Sequence, residues 1–367
     1  MTNPPPLPHL LRMAVAGERP SCSPAVLRAL CGPIDLDALA VLAAEHRVAP
    51  WLAAVLAREP HLASAPRFAP IRRAATAQAL RSLGLFGELR HILRELSDRN
   101  VPVVVLKGPV IAQEHYPDPA LRPYGDLDIL VHESDLDTVA GLLVDRNYRE
   151  KNGHAHSERL HHCHGLFQRI FIQPDTGRIV EVHCDHLQIG LEPVGMDEIW
   201  ERACPTLVGG DVVRALALED LFVQLCVHLN RHGFERLIWF KDLDLLVRGG
   251  RLNWERVRVL ANQQDCTDTV AYTLSLLTRM LRTPLPAPAH DLVRSQGWWS
   301  RNVHRLLWPP NDVLGLVPQR QWRLRRVVQF APETGLLRGG LPSLLLRVRR
   351  KDKVAILLRA STRALRS

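Results

Sequence analysis

Two aspartates separated by one residue are the side chains of this sequence with the clearest capacity for chemistry. Asp126 and Asp128 lie in the segment GDLDILV, residues 125–131. Because side chains alternate between the two faces of a β-strand, both carboxylates are expected on one face and the apolar residues on the other. Unpaired carboxylates this close repel each other unless one is protonated or a hard divalent cation binds them. The pattern indicates a metal site, although acidic pairs also occur on many exposed strand faces.

A third carboxylate is available from the segment RIVEVH, residues 178–183. Glu181 and His183 share one face of this predicted strand, opposite two valines. Three carboxylates on two neighbouring strands would suffice for a two-metal phosphoryl-transfer site. His183 could orient Glu181, contact a nucleotide, or serve as a structural histidine beside the site.

Upstream, Lys107 and Gly108 follow the β-branched run VPVVVL, residues 101–106. A strand that ends here and opens a helix presents backbone N–H groups, a helix dipole and a lysine, all of which can hold phosphate oxygens. The alternative for Lys107 is a surface lysine at the end of a strand. The acids downstream favour the phosphate interpretation.

The elements that must position these residues read as an α+β fold. Strands are predicted at residues 101–106, 126–132, 166–172 and 178–184, with helical periodicity before residue 100 and again after residue 216. We therefore predict a helical N-terminal segment (1–96), a mixed-sheet core (97–210) and a helical C-terminal domain with a basic tail (211–367).

Composition limits the class of protein. The 367 residues are 46% hydrophobic and 23% charged, which excludes a disordered or fibrous chain. Neither a secretory signal pattern nor a membrane-spanning apolar run is seen, and seven scattered cysteines are typical of reduced thiols, so we expect a cytoplasmic protein. The net charge of +9 favours polyanionic or phosphorylated partners.

Three other features have competing interpretations. Arginines and lysines are concentrated at residues 320–366, as on a solvated helix face or, alternatively, a nucleic-acid surface. The histidine-rich segment 154–164 matches no common zinc spacing and is read as a hairpin edge near the site. The tryptophans after residue 297 are read as packing residues rather than as base-stacking platforms.

Taken together, the ordered motifs resemble a known family. The segments VVLKGP (104–109), YPDPALRP (116–123), GDLDILV (125–131) and VEVH (180–183) occur in order, followed by LCVHL (225–229) and WFKD (239–242). This series is similar to the bacterial uncharacterised nucleotidyltransferase family of the DNA polymerase beta-like nucleotidyltransferase superfamily. The resemblance covers roughly residues 89–247. His228 and His232 are one helical turn apart, as metal ligands can be, but the resemblance implies that they are polar groups of a helix that leans over the sheet. One departure is that Lys107-Gly108 stands where most of the superfamily has Gly-Ser or Gly-Gly.

The resemblance implies a nucleotidyltransferase that moves a nucleoside monophosphate (NMP) from an NTP to a hydroxyl or phosphate on a small molecule, a peptide or protein, or RNA. It implies Asp126, Asp128 and Glu181 as catalytic acids and ligands of Mg²⁺ or Mn²⁺. Lys107, Gly108, Arg122 and His183 are predicted to bind the nucleotide, with ATP as one candidate donor. Two alternatives are a catalytically silent nucleotide-binding or scaffold module and a kinase-like phosphoryl transfer with the same ions.

Overall fold

A computed structural model describes residues 6–151, 168–185, 195–264 and 266–297. These ranges contain all of the predicted site residues. The histidine-rich segment 154–164, the start of the predicted strand at residue 166, the later tryptophans and the basic tail lie outside the described residues.

Helices make up both ends of the described chain. Two of these helices are preceded by N-cap residues whose side chains accept hydrogen bonds from the first turn. The Asp35 carboxylate accepts from the Ala38 amide at 2.9 Å, and the Asn253 side chain accepts from the Arg256 amide at 3.0 Å. The described helices are α1 Leu7–Val15, α2 Pro24–Cys31, α3 Leu36–Glu45, α4 Ala49–Ala57, α5 Pro60–Ala63, α6 Ala69–Asp98, α7 Gly108–His115, α8 Leu136–Asp145, α9 Met196–Arg202, α10 Leu218–Arg231, α11 Leu237–Arg248, α12 Trp254–Gln263, α13 Thr267–Leu281 and α14 Ala287–Ser295. Short 3₁₀ turns occur at Pro66–Phe68, Pro119–Leu121 and Glu133–Asp135.

A single mixed sheet of seven strands lies between them in the described chain. The strands are β1 Val104–Leu106, β2 Leu127–Leu130, β3 Arg149–Glu150, β4 Gln168–Ile172, β5 Ile179–His183, β6 Cys204–Val208 and β7 Asp211–Ala215. Their order across the sheet is β3-β4-β5-β2-β1-β7-β6, in which β2 is antiparallel to β1 and parallel to β5. The predicted α+β class with a mixed sheet between helical segments is confirmed.

Each face of the sheet has its own hydrophobic core. One hydrophobic cluster contains residues from the last turns of α6 and from α8. The strand β2 and the residue after it contribute Leu127, Ile129 and Val131 to this cluster. The opposite cluster joins β1 to the N-terminal helices and to α10, α11 and α13. Asp128 lies on this second face, as strand alternation predicts, so the acidic residues face a helical layer built from both ends of the chain.

The helix α6 connects the two cores. Its 30 residues span about 45 Å, the first half packing on α3 and α4 and the second half on the back of the sheet. The sheet also continues through β7, which pairs with β1 beyond residue 210. The domain boundaries at 96/97 and 210/211 stay predictions.

The hairpin of β6 and β7 was not among the predicted strands. Its turn is Gly209-Gly210, with φ of 59° and 88°, the backbone that a two-residue turn with two positive φ angles requires. A glycine pair between alternating apolar residues is a hairpin signal that the sequence does carry. Among the described residues, no helix combines the length and apolar character needed to cross a membrane.

Candidate active site

The two strands that carry the predicted acids are neighbours. In the ladder, Asp128 on β2 lies opposite Glu181 on β5 on one side and Leu106 on β1 on the other. His183 follows Glu181 at the next position on the same face, opposite Leu130. The residue after Leu106 is Lys107, so the fold brings four of the predicted site residues to one place.

Asp128, Glu181 and His183 form a compact group of possible metal ligands. Each offers one ligand atom, and these atoms lie within 4.8 Å of one another. Nε2 of His183 is 2.9 Å from Oδ1 of Asp128 and 3.8 Å from Oε2 of Glu181. Asp128 and His183 are buried, whereas 23% of the Glu181 side chain is exposed and can reach a ligand.

Lys107 reaches this group through an unusual backbone. It stands between β1 and α7 with φ 51° and ψ −112°, a conformation that residues other than glycine rarely adopt. From there its ammonium donates a hydrogen bond of 2.9 Å to Oδ1 of Asp128. No other hydrogen-bond partner of this ammonium is found in the described chain, which leaves two of its three hydrogens for a ligand.

The charges of this group do not balance. Burial alone would raise the pKa of Asp128, but the Lys107 ammonium and the His183 hydrogen bond hold that pKa well below the usual carboxylate range. Burial and the negative charge of Asp128 raise the pKa of Glu181 to about 7, against the opposing effect of Lys107. Burial lowers the pKa of His183, so its imidazole is neutral near pH 7. One lysine thus faces two carboxylates.

Asp126 lies just before β2 and is not part of the compact group. Its side chain is 37% exposed, and Oδ1 is 3.8 Å from Nη1 of Arg47. Its negative charge nevertheless raises the pKa of Glu181, after burial and Asp128. The structure therefore places Asp126 at the edge of the site and His183 within it. The metal-ligating role of each predicted acid stays a prediction.

Arg122 and Gly108 are involved in internal packing. Nε and Nη2 of the Arg122 guanidinium donate to the two oxygens of Asp242, at 3.1 and 2.7 Å, and both side chains are buried. A Cβ atom on Gly108 would lie 3.0 Å from Tyr124 and 3.3 Å from Nη1 of Arg122. The lack of a side chain at Gly108 thus allows close packing of this loop, and the nucleotide contacts of both residues stay predictions.

A group of aromatic rings lies on the helical side of the site. The rings of His228, His232 and Trp239 are within 5.0 Å of one another, centre to centre. Burial, followed by the charges of Arg231 and Lys107, lowers the pKa of His232 to about 3, and burial and Lys107 hold the pKa of His228 well below its ordinary value. Both histidines are therefore neutral near pH 7, and the helix that carries them shares a hydrophobic core with β1.

The donor set suits a hard divalent cation. Carboxylate oxygens are the preferred ligands of Mg²⁺ and Mn²⁺, and imidazole is accepted by Mn²⁺ and similar ions. Burial and the negative charge of Asp128 raise the pKa of Glu181, and a bound cation would neutralise that charge. By this test the residues fit a divalent metal, and Asp128 and Glu181 are the carboxylates that would hold it.

Residues 32–282 match the family model described as uncharacterised nucleotidyltransferase. The match spans more than half of the chain and includes all the site residues described above. The chain belongs to this family. The predicted resemblance and the predicted enzyme class, a nucleotidyltransferase, are both confirmed.

Two solved structures resemble this nucleotidyltransferase. One is the solution structure of the antibiotic-resistance factor ANT(2'')-Ia, with 14% identity, a TM-score of 0.36, and coverage of 49% of this chain and 91% of that chain. The other is an antigenic nucleotidyltransferase-like protein from Paracoccidioides brasiliensis, with 14% identity, a TM-score of 0.32, and coverage of 59% and 94%. TM-scores this low give no correspondence between individual residues. No curated protein matches the chain.

Two residues near the site were not predicted from the sequence. Arg47, two residues after the end of α3, lies 3.8 Å from Asp126, although the two residues are far apart in the sequence. No local sequence pattern predicts this contact. Asp242 is part of the segment WFKD that carries the resemblance, so a signal for it existed. Its function as the buried partner of Arg122 depends on how α11 packs against the 119–123 loop, which no local motif encodes.

Proposed function

We propose that this protein transfers an NMP group from an NTP to a hydroxyl or phosphate of an acceptor, with Mg²⁺ or Mn²⁺ held by Asp126, Asp128 and Glu181. The observation that carries the proposal is the pairing of Asp128 with Glu181 on adjacent parallel strands, with the Lys107 ammonium on Asp128. This combination places a cation-binding group beside a donor for phosphate oxygens.

In the proposed reaction an oxygen of the acceptor attacks the α-phosphorus of the NTP. The bond between that phosphorus and the oxygen bridging to the β-phosphate breaks, and pyrophosphate leaves. When bound, the divalent metal supplies positive charge that stabilises the attacking and leaving oxygens. Glu181 accepts the proton of an attacking hydroxyl, a role open to this carboxylate because its side chain is partly exposed and can reach the acceptor.

The remaining residues bind and orient. Lys107 directs its two remaining ammonium hydrogens to phosphate oxygens while its third holds Asp128 in place. His183 fixes the Asp128 carboxylate from the other side and lies close to Glu181. Gly108 and Arg122 shape the loop at the start of α7, from which backbone N–H groups can reach the triphosphate.

A labelling experiment tests the proposal. The purified protein is incubated with α-³²P or γ-³²P NTPs, Mg²⁺ or Mn²⁺, and a cell extract as the source of acceptor. We expect the α-label to become attached to an acceptor and EDTA to prevent it. Asp128→Asn should reduce the labelling by about a thousandfold or more, because several kcal/mol of charge stabilisation are lost.

Glu255→Gln is the matched control. Glu255 is exposed on α12 and pairs with Arg258, and it belongs to neither the compact group nor its surroundings, so labelling should be unchanged. Transfer of the γ-label alone would favour kinase-like chemistry instead. Equal labelling by wild type and Asp128→Asn would contradict the metal assignment, and binding of metal and NTP without any transfer would favour a silent nucleotide-binding module.

A further inference from the structure

A cavity of about 430 Å³ opens beside Asp126, on the side of the N-terminal helices. Its walls come from the end of α3, from one face of α6 and from the loop before β2. The described residues that line it include Arg47, Ala74, Ala77, Gln78, Arg81 and Gly125. Pockets of this size hold small molecules.

The cavity is connected to the candidate active site through two of its residues. Gly125 immediately precedes Asp126 in the chain. The Arg47 guanidinium lies against Gly125, so that a Cβ there would be 2.6 Å from Nη2, and its Nη1 is 3.8 Å from Asp126. A ligand in the cavity would therefore be next to the exposed carboxylate of the predicted catalytic strand.

The lining is cationic. Two arginines and no carboxylate are among the described residues that form it. Arg81 donates to the Gly125 carbonyl at 3.5 Å, a long contact, and the polar contact found for the Arg47 guanidinium within the described part of the chain is its 3.8 Å ion pair with Asp126. Burial lowers the pKa of Arg47, and the positive charges of Arg236, Arg122 and Arg81 lower it further while Asp126 opposes them. The two guanidiniums thus retain most of their donors for an anion.

Gln78 provides the cavity with a hydrogen-bond acceptor that has no partner in the described chain. Its Nε2 donates to the Ala44 carbonyl at 2.7 Å, and its Oε1 is buried with no hydrogen-bond partner among the described residues. A buried acceptor without a partner costs free energy, which a ligand hydroxyl or amine would recover when the amide turns to bring this oxygen to the cavity surface. The face of α6 that carries Gln78 and Arg81 otherwise presents two alanines, which leave the space for such a ligand.

Arg47 occupies a backbone conformation that favours glycine. Its φ is 56°, and it follows the last turn of α3, where its amide donates to the Ala44 carbonyl. Glycine is the usual residue at such helix ends because it has no Cβ to strain. The same backbone occurs at Arg282, so the conformation of Arg47 is tolerated in this fold, and the Arg47 guanidinium is placed by it against Gly125.

We propose that this cavity, lined by Arg47, Gln78 and Arg81, is the acceptor subsite, and that the acceptor is a small polyhydroxy compound bearing a phosphate or carboxylate. The inference rests on the proposed function, since only a group-transfer site needs an acceptor. The anion pairs with the two guanidiniums and a hydroxyl donates to Gln78. A polycationic acceptor would be repelled from this lining.

Binding of simple probes tests the anion subsite without metal. In EDTA, calorimetric titration with glucose 6-phosphate and with inorganic phosphate should show binding of both to the wild type, with the sugar phosphate binding more tightly. Arg47→Gly and Arg81→Ala should each raise the Kd by about tenfold, since each removes a charge-assisted contact. Gln78→Ala should remove the advantage of the sugar phosphate over phosphate.

Two further variants test separately whether probe binding depends on the net charge of α6 and on the free volume of the cavity. Arg73→Ala removes a charge from the same helix at a residue that does not line the cavity, and it should bind the probes as the wild type does. Ala77→Phe fills the cavity from an exposed helical position and should abolish binding. Wild-type affinity in Arg47→Gly and Arg81→Ala, or no binding of either probe to the wild type, would overturn the subsite.

A competition experiment distinguishes the acceptor subsite from the nucleotide site. With Mg²⁺ and a saturating non-hydrolysable NTP, glucose 6-phosphate should still bind, because the acceptor and the donor must be present together. Displacement of the probe by the NTP would assign the cavity to the triphosphate and overturn the inference. Failure of Mg²⁺·NTP to bind at all, with probe binding intact, would instead overturn the proposed function.

Discussion

Two groups of buried charges in this protein differ in whether their charges balance. Arg122 pairs with Asp242 through two hydrogen bonds, and the Tyr116 hydroxyl donates to the same carboxylate at 2.7 Å. At the candidate active site a single lysine faces Asp128 and Glu181, and the pKa of Glu181 is raised by burial and by Asp128. The Arg122–Asp242 pair carries no net charge, whereas the active-site group keeps negative charge that a bound cation would neutralise.

A third group, on the far side of α11, is unbalanced in the opposite direction, because Lys241 and Arg248 both pair with Asp244. Asp244 accepts hydrogen bonds from Lys241 at 3.0 Å, from Arg248 at 2.6 Å and from Thr283 at 2.6 Å. The Lys241 ammonium also lies 4.2 Å from the ring centre of Trp51, on α4. This group joins N-terminal and C-terminal helices, and its carboxylate is saturated with donors. Saturated groups hold helices together, and the unsaturated group is where chemistry is expected.

The largest effect is expected from Glu181→Gln. The amide cannot accept the acceptor's proton, so single-turnover transfer of the α-label should slow by about 10²–10⁴-fold. Affinity for metal and NTP, measured by titration with a non-hydrolysable NTP, should change much less because Asp128 and Lys107 remain. Near-normal turnover would remove Glu181 from the mechanism, and a large loss of affinity would make it mainly a substrate ligand.

Asp242→Asn tests the balanced group. The substitution leaves the buried Arg122 guanidinium without its counter-charge, and the free energy of unfolding in urea should fall by about 3–5 kcal/mol. The double variant Arg122→Met with Asp242→Leu removes both charges and should recover much of this loss. A change below about 1 kcal/mol in Asp242→Asn would contradict the structural role. Nucleotide affinity of the double variant separately tests the predicted contact of Arg122 with the nucleotide.

The sequence predicted those parts of the fold and site that depend on local patterns. Strand alternation placed Asp128, Glu181 and His183 on one face, and the change from strand to helix placed Lys107 beside them. Contacts between segments that are distant in the sequence could not be predicted, because they depend on how the helices pack. The contacts of Arg47 with Asp126 and of Asp242 with Arg122 are examples. The unusual backbone of Lys107 is likewise a property of the assembled fold.

The pH dependence of stability should differ between wild type and Glu181→Gln. Because the pKa of Glu181 is raised from 4.5 to about 7 in the folded protein, the folded state binds more protons than the unfolded state in that range. Its favourable contribution is complete below pH 4.5 and is lost as the pH rises through about 7. In EDTA at pH 8, Glu181→Gln should thus be more stable than the wild type by on the order of 2 kcal/mol.

Urea denaturation in EDTA at several pH values between 4 and 8 measures this difference. The glutamine has no proton to lose, so the difference should be small at pH 4 and grow toward pH 8. Addition of Mg²⁺ or Mn²⁺ should recover stability in the wild type and less in the variant. A difference that does not change with pH would contradict the electrostatic imbalance.

The smallest effect is expected from the backbone conformation of Lys107. Comparing two substitutions of this residue separates the cost of its backbone strain from the contribution of its ammonium charge. Its φ of 51° and ψ of −112° are accessible to glycine and costly for any residue with a Cβ, so Lys107→Gly should be more stable than Lys107→Ala by roughly 1–2 kcal/mol. Both variants lack the ammonium, so both should lose nucleotide affinity to the same extent. Urea denaturation and titration with a non-hydrolysable NTP measure the two quantities on the same samples.

Equal stability would mean that the backbone relaxes around alanine, and wild-type affinity in both variants would place the phosphate-binding group elsewhere. If the glycine variant is the more stable of the two yet binds as weakly as the alanine variant, the strained conformation exists to carry the ammonium to Asp128, in the group where two carboxylates share one lysine.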